Sequence, residues 1–175
     1  MPIKQFNGQW ASDEDRLLFR FNTKDDREFR FWLTRNATKT IIESSPHLVT
    51  EVLKKKFTPE AAETIQEFQQ QAAMQTTQFN ESYASGGNLV LGENPILVTG
   101  VTVKTENELM SIDLRLATRQ TVNIKITVPV FQTMILLLNK LQETAQWGIG
   151  LPLRTEQESQ PQDERTGAES KIIVH

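Results

Sequence analysis

The sequence LLFRFNTKDDREFRFWLT, residues Leu17–Thr34, contains two runs in which apolar side chains take every second position. The first run ends at Phe21 and the second begins at Glu28, and Asn22–Asp26 between them is typical of a turn. Successive side chains of a strand point to opposite faces, so this alternation predicts a β-hairpin with one buried face. A weaker strand is expected from Ile3 to Trp10.

A second set of strands is expected in the C-terminal half of the chain. Alternation predicts strands over Pro95–Lys104, Met110–Ala117 and Val122–Val128. Pro129 fits the first turn of a last helix, which extends to about Trp147.

A shift of 95 residues aligns the two halves without a gap, and core positions then fall on core positions. The matched pairs are Leu17 and Ile112, Phe19 and Leu114, Phe21 and Leu116, Phe29 and Ile124, Phe31 and Ile126, Leu33 and Val128, and Ile42 and Leu137. The match indicates either an internal duplication or two unrelated hairpin–helix units with the same common pattern. In both cases each hairpin needs a helix to cover its apolar face. The predicted fold is therefore α+β and pseudo-twofold, with duplicated antiparallel β-sheet units that are each followed by a helix.

The residues between the two halves are predicted to be helical. A first helix starts near Asn36 and breaks or restarts at Ser45-Pro46, and another starts at Thr58-Pro59. The second of these is rich in Gln, and its apolar residues recur at spacings of four, three, four and seven: Ala61, Ile65, Phe68, Ala72 and Phe79. This narrow seam is typical either of a surface helix that packs on the sheet or of a helix that pairs with a second copy of the chain.

These patterns predict one α+β domain over residues 1–148. It comprises pseudo-repeats at about 1–57 and 95–147, with a helical insertion at 58–84. Residues 149–175 are rich in Glu, Gln, Ser and Pro and have no periodicity, so a disordered tail is expected there.

Composition narrows the class of protein. The chain has no cysteine, which excludes disulfides, thiolate nucleophiles and cysteine-ligated zinc. Neither a signal peptide nor an apolar run of about 20 residues is present, so a soluble, cytoplasmic, bacterial-type protein without a membrane partner is expected. The net charge of −3 does not suggest a strong polyanion binder.

Signals of enzymatic chemistry are poor. The two histidines, His47 and His175, cannot form a metal triad, and neither a glycine-rich phosphate loop nor a nucleophile elbow is present. We therefore predict no enzymatic activity, catalytic residue, metal site or cofactor.

The outward faces of the two hairpins carry the candidate site. Cations and one aromatic residue are expected there: Arg20, Arg30, Trp32, Arg115 and Lys125. Arginines beside an aromatic ring on an open sheet are typical of a single-stranded nucleic-acid platform. The same residues are also compatible with a protein interface centred on Trp32 or with an ordinary solvent-facing strand surface. We favour a protein-interaction or assembly domain, with a homodimer as its expected state and single-stranded nucleic-acid binding as the alternative.

Two resemblances accompany these patterns. The runs DRLLFRF (residues 15–21) and EFRFWLTR (residues 28–35) resemble an uncharacterised proteobacterial protein family whose hairpin ends in RFWLTR. That resemblance covers residues 1 to about 148 and implies no activity. The hairpin–helix pattern, clearest over Val122–Leu141, is similar to PC4 and Whirly single-stranded-DNA-binding folds, in which strand-rich sheets are each followed by a helix. Such binders usually have a basic face, which this nearly neutral chain lacks, so no site residue is carried over.

Overall fold

The computed structural model of the protein describes residues 2–55, 57–58, 60–62, 64–68 and 83–150. This part of the chain is an α+β fold in which a mixed β-sheet packs against two long helices. The elements are β1 (Ile3–Ala11), a 3₁₀ turn (Ser12–Glu14), β2 (Arg16–Thr23), β3 (Arg27–Thr34), α1 (Arg35–Lys54), β4 (Asn88–Leu89), β5 (Ile96–Glu106), β6 (Leu109–Leu116), β7 (Thr121–Ile126) and α2 (Val128–Thr144).

The sheet is made of two antiparallel half-sheets, β1–β2–β3 and β5–β6–β7, in that spatial order. They meet where β3 runs parallel to β5, and the register at this junction consists of two residue pairs, Phe31–Ile96 and Trp32–Leu97. The short strand β4 pairs with β3 earlier along the strand, at Arg27 and Glu28. The backbone bonding that joins the two half-sheets is therefore brief.

The half-sheets are staggered, and the helices bridge them. β3 ends at Thr34, shortly after the junction, whereas β5 begins at Ile96 and continues to Glu106. α1 follows β3 but lies mainly against β5 of the second half-sheet, and α2 follows β7 but lies mainly against β1 of the first. Each helix also contacts the other. The helix after each half-sheet thus covers a strand of the opposite half.

One hydrophobic core fills the space between the sheet and the helices. The inward residues of β2 and β3 include four phenylalanines, and the Phe21 and Phe29 rings stack with centroids 5.0 Å apart. In α2, Phe131 and Leu138 are completely buried in the same core. The inward residues of the strands and the buried apolar residues of α2 therefore form one core.

The predicted strands are largely confirmed. The hairpin over Leu17–Thr34 forms as β2 and β3, and the weak strand at Ile3–Trp10 forms as β1. The second half contains its three predicted strands, but Val128 is the first residue of α2 rather than the last of β7. Pro129 occupies the first turn of that helix, as predicted.

The predicted break at Ser45-Pro46 is wrong, because α1 runs without interruption from Arg35 to Lys54. A proline inside a helix removes one backbone hydrogen bond. The apolar stripe nevertheless continues in phase across it, with Ile42 buried before the proline and Val49 buried after it. Packing of this stripe outweighs the lost bond.

Replacing Pro46 with Ala tests this continuity. Since Pro46 is exposed within a continuous helix, Pro46→Ala should raise the free energy of unfolding by about 1–3 kcal/mol by restoring the missing bond. Urea denaturation measures the change. At the first turn of a separate helix a proline costs almost nothing, so an unchanged stability would contradict the continuous helix.

The gapless shift of 95 residues is inconsistent with the strand register. Leu17 pairs with Leu33, yet Ile112, its match, pairs with Ile124 and not with Val128. A period of two cannot distinguish a shift of 95 from one of 93, because both keep inward residues inward. The structure thus corrects the alignment.

A shift of 93 agrees with the register and with the helix starts. The helices α1 and α2 are preceded by Thr34 and Thr127 at their N-cap positions, which are 93 residues apart. The first strand of each half also has an irregularity near its start, between Ile3 and Gln5 in β1 and between Val98 and Gly100 in β5. These positions are 95 residues apart, whereas their partners on the next strand, Thr23 and Leu116, are 93 apart. The two half-sheets follow one another in the same strand order along the sheet, and β3 and β5 are parallel where they meet.

Parts of two predictions fall outside the described residues. The described residues of 60–68 are helical, consistent with a helix start at Thr58-Pro59, but Ala72 and Phe79 of the seam are not described. The predicted tail lies outside the described residues from 151 onward. Before that point Ile149 is buried, and its N–H donates to Gln142 Oε1 at 3.0 Å.

Candidate functional site

The five candidate residues lie on one surface, the side of the sheet opposite the helices, which we call the outer face. In β2 and β3 the buried residues alternate with Arg20, Arg30 and Trp32, and Arg20 is directly opposite Arg30. Arg115 in β6 and Lys125 in β7 alternate with buried residues in the same way. The contacts that each of these residues makes on this face determine whether its side chain is available to bind a ligand.

A connecting segment covers part of the outer face. Residues 83–94, here called the strap, cross β2 and β3 on their way to β5. The guanidinium of Arg20 lies 4.5 Å from the centroid of the Tyr83 ring, and Asn22 Nδ2 donates to the Ala84 carbonyl at 2.5 Å. Arg20 also donates to Asn7 Oδ1 at 2.8 Å. Arg20 is therefore a half-buried structural residue beneath the strap.

Glu28 is the main polar anchor of the strap. Its side chain is completely buried, and its carboxylate accepts from Arg30 Nε at 2.7 Å and from the Gly86 N–H at 2.6 Å. A Cβ at position 86 would lie 3.0 Å from the Glu28 Cβ, which is a tight contact, so glycine favours the close approach. Arg30 also donates to the Glu93 carbonyl at 3.1 Å. The charge of Arg30 is thus balanced within the fold.

A second network neutralises the outer face of β5–β7. Lys125 Nζ lies 2.9 Å from a Glu106 carboxylate oxygen, and Lys104 Nζ lies 3.3 Å from one of Asp113. Asn123 donates to Asp113 Oδ1 at 2.6 Å, and this hydrogen bond lowers the pKa of Asp113. The hydrogen bond from Lys125 likewise lowers the pKa of Glu106. Both carboxylates therefore stay ionised and compensate their lysines.

Between the strap and this network lies a row of apolar side chains. Leu18, Trp32 and Leu97 are neighbours on three adjacent strands, and each is half-buried. None of them belongs to the hydrophobic core. The Arg16 guanidinium stacks on the indole of Trp32 at 4.3 Å from the ring centroid, and Arg16 also pairs with Glu14. We call Leu18, Trp32 and Leu97 the central row.

The structure thus separates the five candidates into two groups. Arg20, Arg30 and Lys125 have partners within the chain. Trp32 stays partly exposed in the central row, and Arg115 is exposed above Gly100, with no acidic partner in the part of the chain that the structure describes. The surface left for a ligand is apolar at its centre and carries little uncompensated charge.

Sequence reasoning missed the strap and Leu97. The strap has no periodicity, so nothing in its sequence indicates that it covers the outer face. Glu28 did carry a signal, because it shares the outward positions with Arg30 and can reach it on the same strand. Leu97 could have been found from strand alternation once the register between β3 and β5 was known.

A cavity of about 430 Å³ opens between the first turns of α1 and the chain after α2. Arg35 on its wall donates to the Trp147 carbonyl at 2.6 Å, and Trp147 Nε1 donates to Asp15 Oδ1 at 2.6 Å. Lys39, also on the wall, lies near Glu43. Because these polar groups bond to each other, the cavity presents no reactive constellation.

Comparison with known proteins gives no family assignment: no family model, no curated protein and no solved structure matches the chain. Within the described residues no group of three potential metal ligands occurs. In the same residues, none of the helices has the length and apolar character needed to cross a membrane. The function is therefore argued from the geometry.

Tyr83 provides a spectroscopic test of the strap, since it is the single tyrosine of the chain. Burial, together with the nearby Glu28 charge, raises the pKa of Tyr83 from 10.0 to about 12. Ultraviolet titration should therefore show phenolate formation near pH 12 in the folded protein and near pH 10 in urea. Because the folded pKa is the higher one, the stability contributed by the neutral phenol is complete below pH 10 and is lost as the pH rises to about 12. A folded-state midpoint near 10 would contradict the covered position of Tyr83.

Proposed function

We propose that the protein is a non-enzymatic interaction or assembly domain whose outer face binds another protein, and that its first partner is a second copy of itself. The observation that supports this proposal is the central row. Leu18, Trp32 and Leu97 form a continuous apolar patch outside the core, bordered by polar groups that already have partners. Apolar patches with a polar rim mark interaction sites, and tryptophan and arginine are the residues most often found at interface hot spots.

A symmetric dimer suits a patch of this kind. A twofold contact uses the same surface on both subunits, so an apolar row centred on one tryptophan is complementary to its own copy. Arg16, stacked on Trp32, keeps the indole ordered and lowers the entropy cost of binding. The outer face therefore supports a homodimer without a further partner.

Single-stranded nucleic-acid binding is the weaker alternative. It needs cations that are free to contact phosphates, whereas Arg20, Arg30 and Lys125 have partners within the fold. Arg115 and Trp32 remain as one cation and one stacking surface.

Sedimentation of the full chain at micromolar concentration tests the homodimer. The unsubstituted protein should sediment as a dimer, and Trp32→Glu should sediment as a monomer because a charge would be buried at the centre of the contact. Phe57→Glu places the same charge at an exposed apolar residue that follows α1, away from the outer face, and should leave the dimer intact. A monomeric unsubstituted protein would contradict the proposal, as would a Trp32→Glu variant that stays dimeric.

The same experiment with a labelled single-stranded oligonucleotide tests the alternative. At low salt, co-sedimentation that is lost in Trp32→Ala would support it. No co-sedimentation at low salt would remove it.

We further propose that the two halves arose by duplication and that the Gln-rich helix is an insertion between them. The N-caps, which are 93 residues apart, and the irregularity that recurs near the start of each first strand support this origin. More distant relatives should then show halves that align with the same offset in β2, β3 and the helix. Relatives whose halves lack a common offset would contradict it.

A further inference from the structure

Arg115 is an exposed cation on the outer face whose charge is not compensated within the described residues. Its guanidinium lies directly over Gly100 on β5, where a Cβ would collide with it, so the glycine leaves room for this placement. Asp113, two residues earlier on the same face of β6, is already bonded to Lys104 and Asn123. The donor groups of Arg115 are therefore available to a partner.

The turn between β1 and β2 carries the opposite charge. Asp13 and Glu14, here called the acidic turn, are both exposed. Glu14 pairs with Arg16, and the Arg16 guanidinium rests on the indole of Trp32, so this ion pair borders the central row. Among the described residues, Asp13 accepts only from the Ser12 hydroxyl, at 3.3 Å. One carboxylate of the acidic turn is thus left without a cation.

Two further charged groups near the acidic turn belong to the helix side of the sheet. Asp15 accepts from Trp147 Nε1 at 2.6 Å, and Arg35 donates to the Trp147 carbonyl at 2.6 Å. Trp147 is buried in the core, so it holds both groups on that side. Their charges offset each other and leave the net charge of this corner to Asp13.

Arg115 and the acidic turn lie at the same end of the sheet, on opposite sides of β3. Arg16, next to the acidic turn, pairs with the last residue of β3, two positions after Trp32. Arg115 pairs with Gly100, three positions after Leu97 on β5, with one irregularity between them. Since β3 and β5 are parallel at their junction, both steps lead in the same direction. β1 and β6 are each two strands from β3, so the two charges are placed symmetrically about it.

A twofold axis along β3 brings these opposite charges together. In such a contact the β1–β2 side of each copy faces the β5–β6 side of the other, so Arg115 of one copy meets Asp13 and Glu14 of the other. An axis across the strands would instead bring β6 against β6. Arg115 would then approach Arg119, in the turn after β6 of the second copy, and like charges facing each other are unfavourable. The charges therefore favour the axis along β3.

This contact is electrically balanced, and the strap does not obstruct it. Two carboxylates, Asp13 and Glu14, face two guanidiniums, Arg16 of the same copy and Arg115 of the other. The strap crosses the opposite end of β2 and β3, where its Gly86 N–H donates to Glu28. The end of the outer face that carries Arg115 is thus open to a second copy.

We propose that Arg115 of one copy binds the acidic turn of the other, with Asp13 as its main partner, and that these two identical contacts set the orientation of the homodimer. The inference rests on the homodimer proposed for the central row and names the residues that decide how the two copies fit together. The apolar row contributes burial without direction, whereas the charges disfavour a copy that docks in another orientation.

Charge reversal followed by sedimentation of the full chain tests the contact. Arg115→Asp and Asp13→Arg should each weaken the dimer by about tenfold or more, because each places like charges at both contacts. Lys39→Asp makes the same change of charge in α1, on the helix side of the sheet, and should leave the dimer unchanged.

Mixing the two single variants distinguishes a contact between copies from one within a copy. In the mixed dimer the new acid of Arg115→Asp faces the new base of Asp13→Arg, and the other contact keeps its original residues. The equimolar mixture should therefore dimerise about as tightly as the unsubstituted protein, although neither variant does so alone. Circular dichroism and the Tyr83 titration show that each variant is folded.

Two outcomes would overturn this proposal while leaving the homodimer in place. One is a dimer that Trp32→Glu disrupts but Arg115→Asp does not weaken. The other is a mixture that associates no better than its two components. A monomeric unsubstituted protein would remove the homodimer itself, and this proposal with it.

Discussion

The structure depends on crossed packing between helices and half-sheets. The two half-sheets share a junction of two residue pairs, Phe31–Ile96 and Trp32–Leu97, which is too brief to hold them together by backbone bonding. α1 instead lies mainly on β5, and α2 returns across the domain to β1. At Gly8 the backbone of β1 lies so close to α2 that a Cβ would collide with the Leu141 side chain. Each half therefore completes its core with the helix of the other half.

In this arrangement neither α1 nor α2 covers the outer face of the sheet. Because both helices lie on the inner side, the outer surfaces of β2 and β3 are covered by the strap, which Glu28 anchors, and those of β5–β7 are neutralised by ion pairs. The central row lies between the two covers, where β3 meets β5. The half-buried central row thus lies where the stagger leaves it uncovered, and it is the surface at which we propose that a partner binds.

The local pattern predicted much of the fold. Alternation identified the strands of both halves, because one buried face imposes a period of two that survives in any context. It could not identify the pairing between β3 and β5, the direction of the helices or the correct offset between the halves, since these depend on contacts far apart in sequence. The break predicted at Pro46 was wrong because proline is only a local signal for a helix start. Burial of Ile42 and Val49 on either side of it keeps the helix continuous. The five candidate residues do lie on one face of the sheet, and their role in binding stays a prediction. The strap contacts of these residues were not predicted: the Tyr83 ring beside Arg20 and the Glu93 carbonyl bonded to Arg30 come from a segment whose sequence has no pattern.

Native-state hydrogen exchange on the full chain, with and without Leu138→Ala in α2, tests the crossed packing most directly. Leu138 is completely buried, so its truncation should cost about 2–5 kcal/mol. Crossed packing predicts that the most protected amides of β2–β3 and of β6–β7 open with the same free energy and lose the same amount in the variant. Unchanged protection of β2–β3 beside weakened β6–β7 would show that the halves are independent and would contradict the account.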